Sequence, residues 1–182
     1  MPDPSDRDLV LSARRGEAEA FGELVRRYQV AVFNACYRLL GNRHEAEDLA
    51  QEAFIRAYER LDRFDAERPF GPWIRRVAVN LGLNRLQSAG PPTLSLDDER
   101  DEPLSTPEEH PEAAREHAER TEALRAALLS LPPHYRAVVE LRHFQELSYD
   151  EIAVALGLPV SDVKSHLFRA RKLLAEKLRS HV

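Results

Sequence analysis

The sequence predicts an all-α fold: two small helical domains joined by a flexible linker. Three observations carry this. Apolar residues recur at helical spacing from residue 8 to residue 88, and again from residue 111 onward. Between them, AGPPTLSLDDERDEPLSTPEEH (89–110) is rich in proline and acid and has little to bury, the composition of a linker without a core. The C-terminal stretch reads as two helices about a tight turn. The boundaries are therefore 1–88, 89–110 and 111–182.

The first helical stretch runs from Asp8 to Leu40. Leu9, Val10 and Ala13 begin an apolar stripe, Gly16 interrupts it, and Phe21, Leu24, Tyr28, Phe33, Cys36 and Leu40 continue it to Gly41-Asn42. Cys36 stands alone, so no disulfide or cysteine zinc cluster forms, and its place on the stripe makes it a small buried hydrophobe. His44 opens HEAED, which departs from the zinc motif H-E-x-x-H at Asp48; no metal is expected.

In RHEAEDLAQEAFIRAYERLDRF, Ala46, Ala50, Ala53 and Ala57 point one way with Phe54 and Leu61, and that face is buried. Asp48, Gln51, Glu52, Ile55 and Glu59 point the other way. Such a row is commonly a solvated acidic face. An isoleucine at its centre also fits an interface with an apolar middle and a polar rim, and the residues alone leave both readings open.

A loop at 62–68 leads to PFGPWIRRVAVNLGLNRLQ, where Pro72 suits a helix start. Ile74, Val77, Ala78 and Leu81 form an apolar face. Arg76, Asn80 and Asn84 recur every four residues beside Trp73. With Phe64 nearby in sequence, aromatics beside amides and arginine suit single-stranded bases, although Trp73 by itself reads mainly as a core anchor. Gly82 within this helix should weaken it by about 1 kcal/mol relative to alanine.

Past the linker, Leu124, Leu128 and Leu131 lead to the break at Pro132-Pro133, and Tyr135–Phe144 form a further helix. Then Ser148 and Glu151 make a capping box, Ile152, Ala153 and Leu156 a short apolar stripe, Gly157 a stop and Pro159 a new start. The spacing of Ala153, Gly157 and Val163 is that of a DNA-binding helix-turn-helix. On its second helix Val163, Leu167, Ala170, Leu174 and Leu178 form the buried side. Ser165, Phe168, Arg169 and Lys172 lie opposite, with Lys164 and Arg171 on one flank and His166 on the other. A basic face alone is often only solvated. A phenylalanine on it buries nothing internal, yet suits a thymine methyl or an exposed base edge.

The net charge of −5 looks wrong for a DNA binder until it is divided. Residues 1–88 are neutral overall, residues 89–120 hold 3 basic against 10 acidic side chains, and residues 121–182 hold 9 against 7. The acid is concentrated around the linker, and the DNA-reading end is basic. No apolar run reaches membrane-spanning length and no signal peptide opens the chain, so a cytoplasmic protein is expected. Without a phosphate loop or nucleophile motif, neither an enzyme nor a cofactor is expected.

Taken together, these segments resemble the extracytoplasmic-function (ECF) group of bacterial RNA polymerase sigma factors, which hold two domains, regions two and four, joined by a linker. AEDLAQEAFIRAY resembles the region-two segment that docks on the clamp helices of the polymerase largest subunit. PFGPWIRRVAVNLGLNRL resembles the helix that melts the promoter and reads the −10 element. LPPHYRAVVELRHFQELSYDEIAVALGLPVSDVKSHLFRARKLL resembles region four, which reads the −35 element. The resemblance implies polymerase docking by Asp48, Gln51, Glu52 and Ile55, and capture of an unstacked −10 base by Phe64 and Asn80, within a −10 surface that includes Trp73, Arg76 and Asn84. It implies −35 contacts by Lys164, Ser165, Phe168 and Arg169, with His166, Arg171 and Lys172 on the same surface.

The implied partners are core RNA polymerase, including a second surface for region four, promoter DNA and an anti-sigma factor. Three departures stand out. His166 replaces a frequent arginine, Ser161-Asp162 replaces a small residue and threonine, and Gln87-Ser88-Ala89 ends region two where many members continue with arginines. The competing class is a free-standing helix-turn-helix regulator of the response-regulator type, which needs a sensor or dimerisation domain that the first half does not show.

Overall fold

The computed structural model describes residues 3–89 and 111–180; the linker expected at 89–110 lies, beyond Ala89, outside the described residues. Among the described residues all regular structure is helical: α1 (Asp6–Arg14), α2 (Ala18–Leu40), α3 (Arg43–Glu59), α4 (Phe70–Ser88), α5 (Pro111–Leu129), α6 (Pro133–Val139), α7 (Tyr149–Leu156) and α8 (Val160–Arg179). A 3₁₀ turn, Leu61–Arg63, follows α3, and α6 continues as a π-helical turn, Glu140–Phe144.

The helical stretch expected from Asp8 to Leu40, interrupted at Gly16, is two helices. Ser5 and Asp8 cap each other reciprocally, so α1 starts at Asp6, and Gly16 at φ +92° turns the chain before α2. The first unit buries Val10, Leu24, Ala46, Leu49, Ala53, Ala57, Phe70 and Ile74 where α1–α4 meet. The four alanines of α3 let α2 and α4 approach closely.

Gly82 has a packing reason that outweighs its propensity cost. A Cβ there would stand 2.5 Å from Leu39 Cδ2 and 2.9 Å from Leu49 Cδ2, so α4 can lie against α2 and α3 only with glycine at the crossing. Leu39 belongs to α2, so the same crossing holds the end of α2 that carries the second unit.

In the second unit the helix-turn-helix forms as expected. The Ser148–Glu151 capping box starts α7, and Gly157 at φ +63° ends it. Pro159 stands just before α8 rather than inside it. Val163, Leu167 and Ala170 are fully buried, while Leu174 and Leu178 are half-buried.

The two units share a core. Leu39, Val79 and Leu83 of the first pack with Val138, Leu141, Ile152 and Leu167 of the second. Polar ties surround this seam. Arg38 grips the buried Glu140 carboxylate with two bonds of 2.6 and 2.9 Å, and its guanidinium lies 4.1 Å over the Phe144 ring. Arg136 binds the carbonyls of Leu129 and Leu131 within its own unit and that of Leu39 across the seam. Gln87 at the end of α4 meets His134 at 2.7 Å.

Candidate nucleic-acid interface

Three surfaces gather the predicted residues. On α3, Asp48, Gln51 and Ile55 are exposed on one face, Ile55 at 60%. Glu52 differs: its carboxylate accepts from Arg85 Nη2 of α4 at 2.9 Å, and both side chains stay more than a third exposed. This pair contributes at most about 1 kcal/mol, so the Glu52 charge remains available to a partner with better geometry.

The second surface is a groove of about 510 Å³ along α4. Trp73, Arg76, Asn80 and Asn84 line it together, as their spacing predicted, with Val77 and Leu81 supplying apolar floor. Phe64 is not among them. Its ring is 7% exposed, tilted against Trp73 at 4.4 Å and edge-on to Phe70. In this arrangement Phe64 holds Trp73 in place and offers no free face to a base. Sequence reasoning missed Arg56 and Arg60, which line the groove from the end of α3. They lie on the flank between the buried and outer faces of α3, and only the crossing of α3 with α4 brings them beside Asn80. The far wall is Val154 and Ala155 of α7.

The third surface is the outer face of α8. Lys164, Ser165, Phe168, Arg169, Arg171 and Lys172 are all exposed, Phe168 at 71%. Arg169 reaches the Tyr135 hydroxyl at 3.5 Å. His166 leaves this group. Its ring leans inward, 5.2 Å from that of Tyr135 and 5.9 Å from that of His134, and its Nδ1 is buried without a hydrogen bond. Burial, then His134, then Arg169 hold its pKa below the usual histidine value, against an opposing pull from Asp162.

No cluster of three or more metal-ligating side chains occurs among the described residues. The Cys36 thiol is buried, with its pKa pushed up to about 12 chiefly by desolvation, which removes it as a nucleophile. No described helix is long and apolar enough to cross a membrane.

Comparison with known proteins follows the same division. Residues 24–91 match the family Sigma-70 region 2, and residues 121–174 match Sigma-70, region 4. The chain is 37% identical to the ECF RNA polymerase sigma factor SigW of Bacillus subtilis, covering 93% of this chain and 95% of that protein. It is 35% identical to the ECF RNA polymerase sigma-E factor of Escherichia coli, covering 96% and 94%. Among solved structures it is similar to CnrH in complex with the cytosolic domain of CnrY, at 28% identity and a TM-score of 0.66 over 97% of this chain and 99% of that one. The sigma factor RpoE of Bartonella quintana, solved with the anti-sigma factor NepR, shares the fold at 22% identity and a TM-score of 0.65, over 87% of this chain and 96% of that one.

Proposed function

We propose that this chain, which belongs to the ECF family of RNA polymerase sigma factors, binds core RNA polymerase through the outer face of α3. It then brings the enzyme to promoters by reading duplex with α8 and an unpaired strand along α4. In this reading Asp48, Gln51, Glu52 and Ile55 make the docking surface. Lys164, Ser165, Phe168, Arg169, Arg171 and Lys172 contact the −35 element. Trp73, Arg76, Asn80 and Asn84 engage the −10 strand, and Phe64 supports Trp73 from beneath. The chemistry is binding throughout, and no side chain is assigned a catalytic step.

One observation favours this over a free-standing regulator. The α4 groove sets an aromatic, two amides and arginines around space for unstacked bases, and a protein that reads only duplex has no use for it. A second protein partner fits the same frame, since CnrH, similar over nearly its whole length, was solved in complex with the cytosolic domain of CnrY.

Docking is tested by co-elution with core polymerase and by run-off transcription. The parent is expected to co-elute and to support initiation. Asp48→Lys combined with Glu52→Lys should abolish both while circular dichroism stays unchanged, because Asp48 is exposed, Glu52 is more than a third exposed and the Arg85 pair adds little stability. Normal co-elution by the double variant would remove α3 as the docking face.

A further inference from the structure

The basic side chains on the outer face of α8 are not equally free. Lys164, Arg171 and Lys172 are exposed and make no side-chain hydrogen bond or ion pair with the described residues. Arg169 does: its Nη1 donates to the hydroxyl of Tyr135 on α6 at 3.5 Å, a long bond at an exposed site. The body of Tyr135 packs on the cluster of Leu128, Leu131, Val139 and Ala170, where α5, α6 and α8 meet. Its ring also faces that of His166 at 5.2 Å. His166 and Arg169 are three residues apart and so neighbours on the helix surface. One tyrosine backs both.

The turn that carries Tyr135 is itself held in place. Pro132 and Pro133 set the start of α6. The guanidinium of Arg136, the next residue, binds the carbonyls of Leu129 and Leu131 at 3.2 and 3.0 Å. Tyr135 therefore presents its hydroxyl from a fixed base. A phenylalanine would fill the same core space, and water alone would satisfy a tyrosine hydroxyl at this edge. What the hydroxyl adds is a partner for Arg169.

We propose that Tyr135 is a positioning residue for −35 recognition: its hydroxyl tethers the Arg169 guanidinium at the edge of the α8 face and leaves the other N–H groups of the fork free for a base edge. This rests on the reading of Arg169 as a −35 contact. A free arginine loses rotamer freedom when it binds, and one already tethered loses less, so affinity rises without a new contact to DNA. A single long bond restrains only part of that freedom. The gain is therefore at the low end for one ordered side chain, about threefold in affinity. Because the tether acts only through Arg169, its effect vanishes when Arg169 is removed.

The experiment is a double-mutant cycle on holoenzyme reconstituted from core polymerase and the full chain. Binding is measured on a promoter duplex and on versions of it changed at single −35 base pairs. Arg169→Ala is expected to weaken binding about tenfold and to lose preference at the base pair it reads. Tyr135→Phe should weaken binding about threefold and lose part of the preference at that same base pair and no other. Its thermal midpoint should match the parent, since the ring stays in its core. In the Arg169→Ala background, Tyr135→Phe should change nothing.

Three results overturn the positioning role while leaving Arg169 as a −35 contact. Additive losses would make the Tyr135 hydroxyl a DNA contact in its own right. A loss spread evenly over the −35 base pairs, with a lowered thermal midpoint, would make it part of the core only. Parental binding by Tyr135→Phe beside a weakened Arg169→Ala would leave the hydroxyl without a part in recognition. Arg169→Ala that binds like the parent is a different failure: it removes Arg169 from the −35 surface, and the proposal with it.

Discussion

The α8 face and the α4 groove both carry arginine and an aromatic open to solvent, but their surroundings differ. Around α8, every candidate except His166 projects into solvent and touches little else. Around α4, the candidates sit between α3 on one side and Val154 and Ala155 of α7 on the other. One surface is complete as a single helix. The other is assembled from three helices in two units, and one of its walls is the first helix of the helix-turn-helix. Duplex would meet a single helix at α8, whereas a strand in the groove would lie against both units, and its entry is expected to ease when the second unit moves off the first.

The largest expected effect comes from the seam that holds that wall. Glu140 is buried and Arg38 is its main partner, with Gln145 Nε2 adding a long bond at 3.4 Å. Removing one member of a buried pair strands the other, at a cost of about 3 kcal/mol once the partial exposure of Arg38 is allowed for. Glu140→Ala is expected to loosen the two units, raising the scattering radius of the free chain and its affinity for a single-stranded −10 oligonucleotide. Affinity of α8 for duplex should not change. Equal gains on both ligands would show that the seam does not distinguish the two surfaces.

Phe168→Ala and Arg169→Ala come next. Each should cost roughly 1–2 kcal/mol in promoter binding by holoenzyme through lost base contacts, with thermal stability kept, because neither side chain enters the core. A fall in melting temperature matching the binding loss would mean that this face is structural. Asn80→Ala should have a smaller effect, about 1 kcal/mol, confined to strand opening. Permanganate reactivity of the −10 thymines should drop on duplex promoters, with closed-complex formation unchanged.

The smallest effect is pH dependence at His166. Its folded pKa lies below the unfolded value, chiefly through burial, so the stability it contributes is present above the unfolded pKa and lost as pH falls through the folded one. The groups facing it are His134 and Tyr135 from α6 and Asp162 and Arg169 from α8. Thermal unfolding between pH 7.5 and 5.5 should show a steeper loss in the parent than in His166→Gln. Parallel profiles would place the His166 ring in solvent.

The same contrast explains what the sequence made legible. The faces of α8 followed from a period of 3.6, since a surface helix buries one stripe and exposes the rest. Arg76, Asn80 and Asn84 were legible for that reason too. Phe64 was not, because proximity in sequence to Trp73 does not reveal that Phe70 packs against both rings. Arg56 and Arg60 were invisible because periodicity within α3 says nothing of what α4 places across from it. His166 lay at the margin of its face, where a small rotation decides between solvent and the ring of Tyr135. The seam at Leu39, Val79 and Leu83 was hidden for another reason: apolar residues at a helical period show that a face is buried, but not what buries it.

On this reading the chain acts on promoters only as a subunit of polymerase. The direct measurement is a gel shift on one promoter duplex at physiological salt, with and without core enzyme. The chain alone, with one short basic helix available to duplex and its α4 groove walled by α7, should bind weakly; core should make binding tight and sequence-specific. Tight, specific binding by the free chain that core leaves unchanged would make it an autonomous regulator instead.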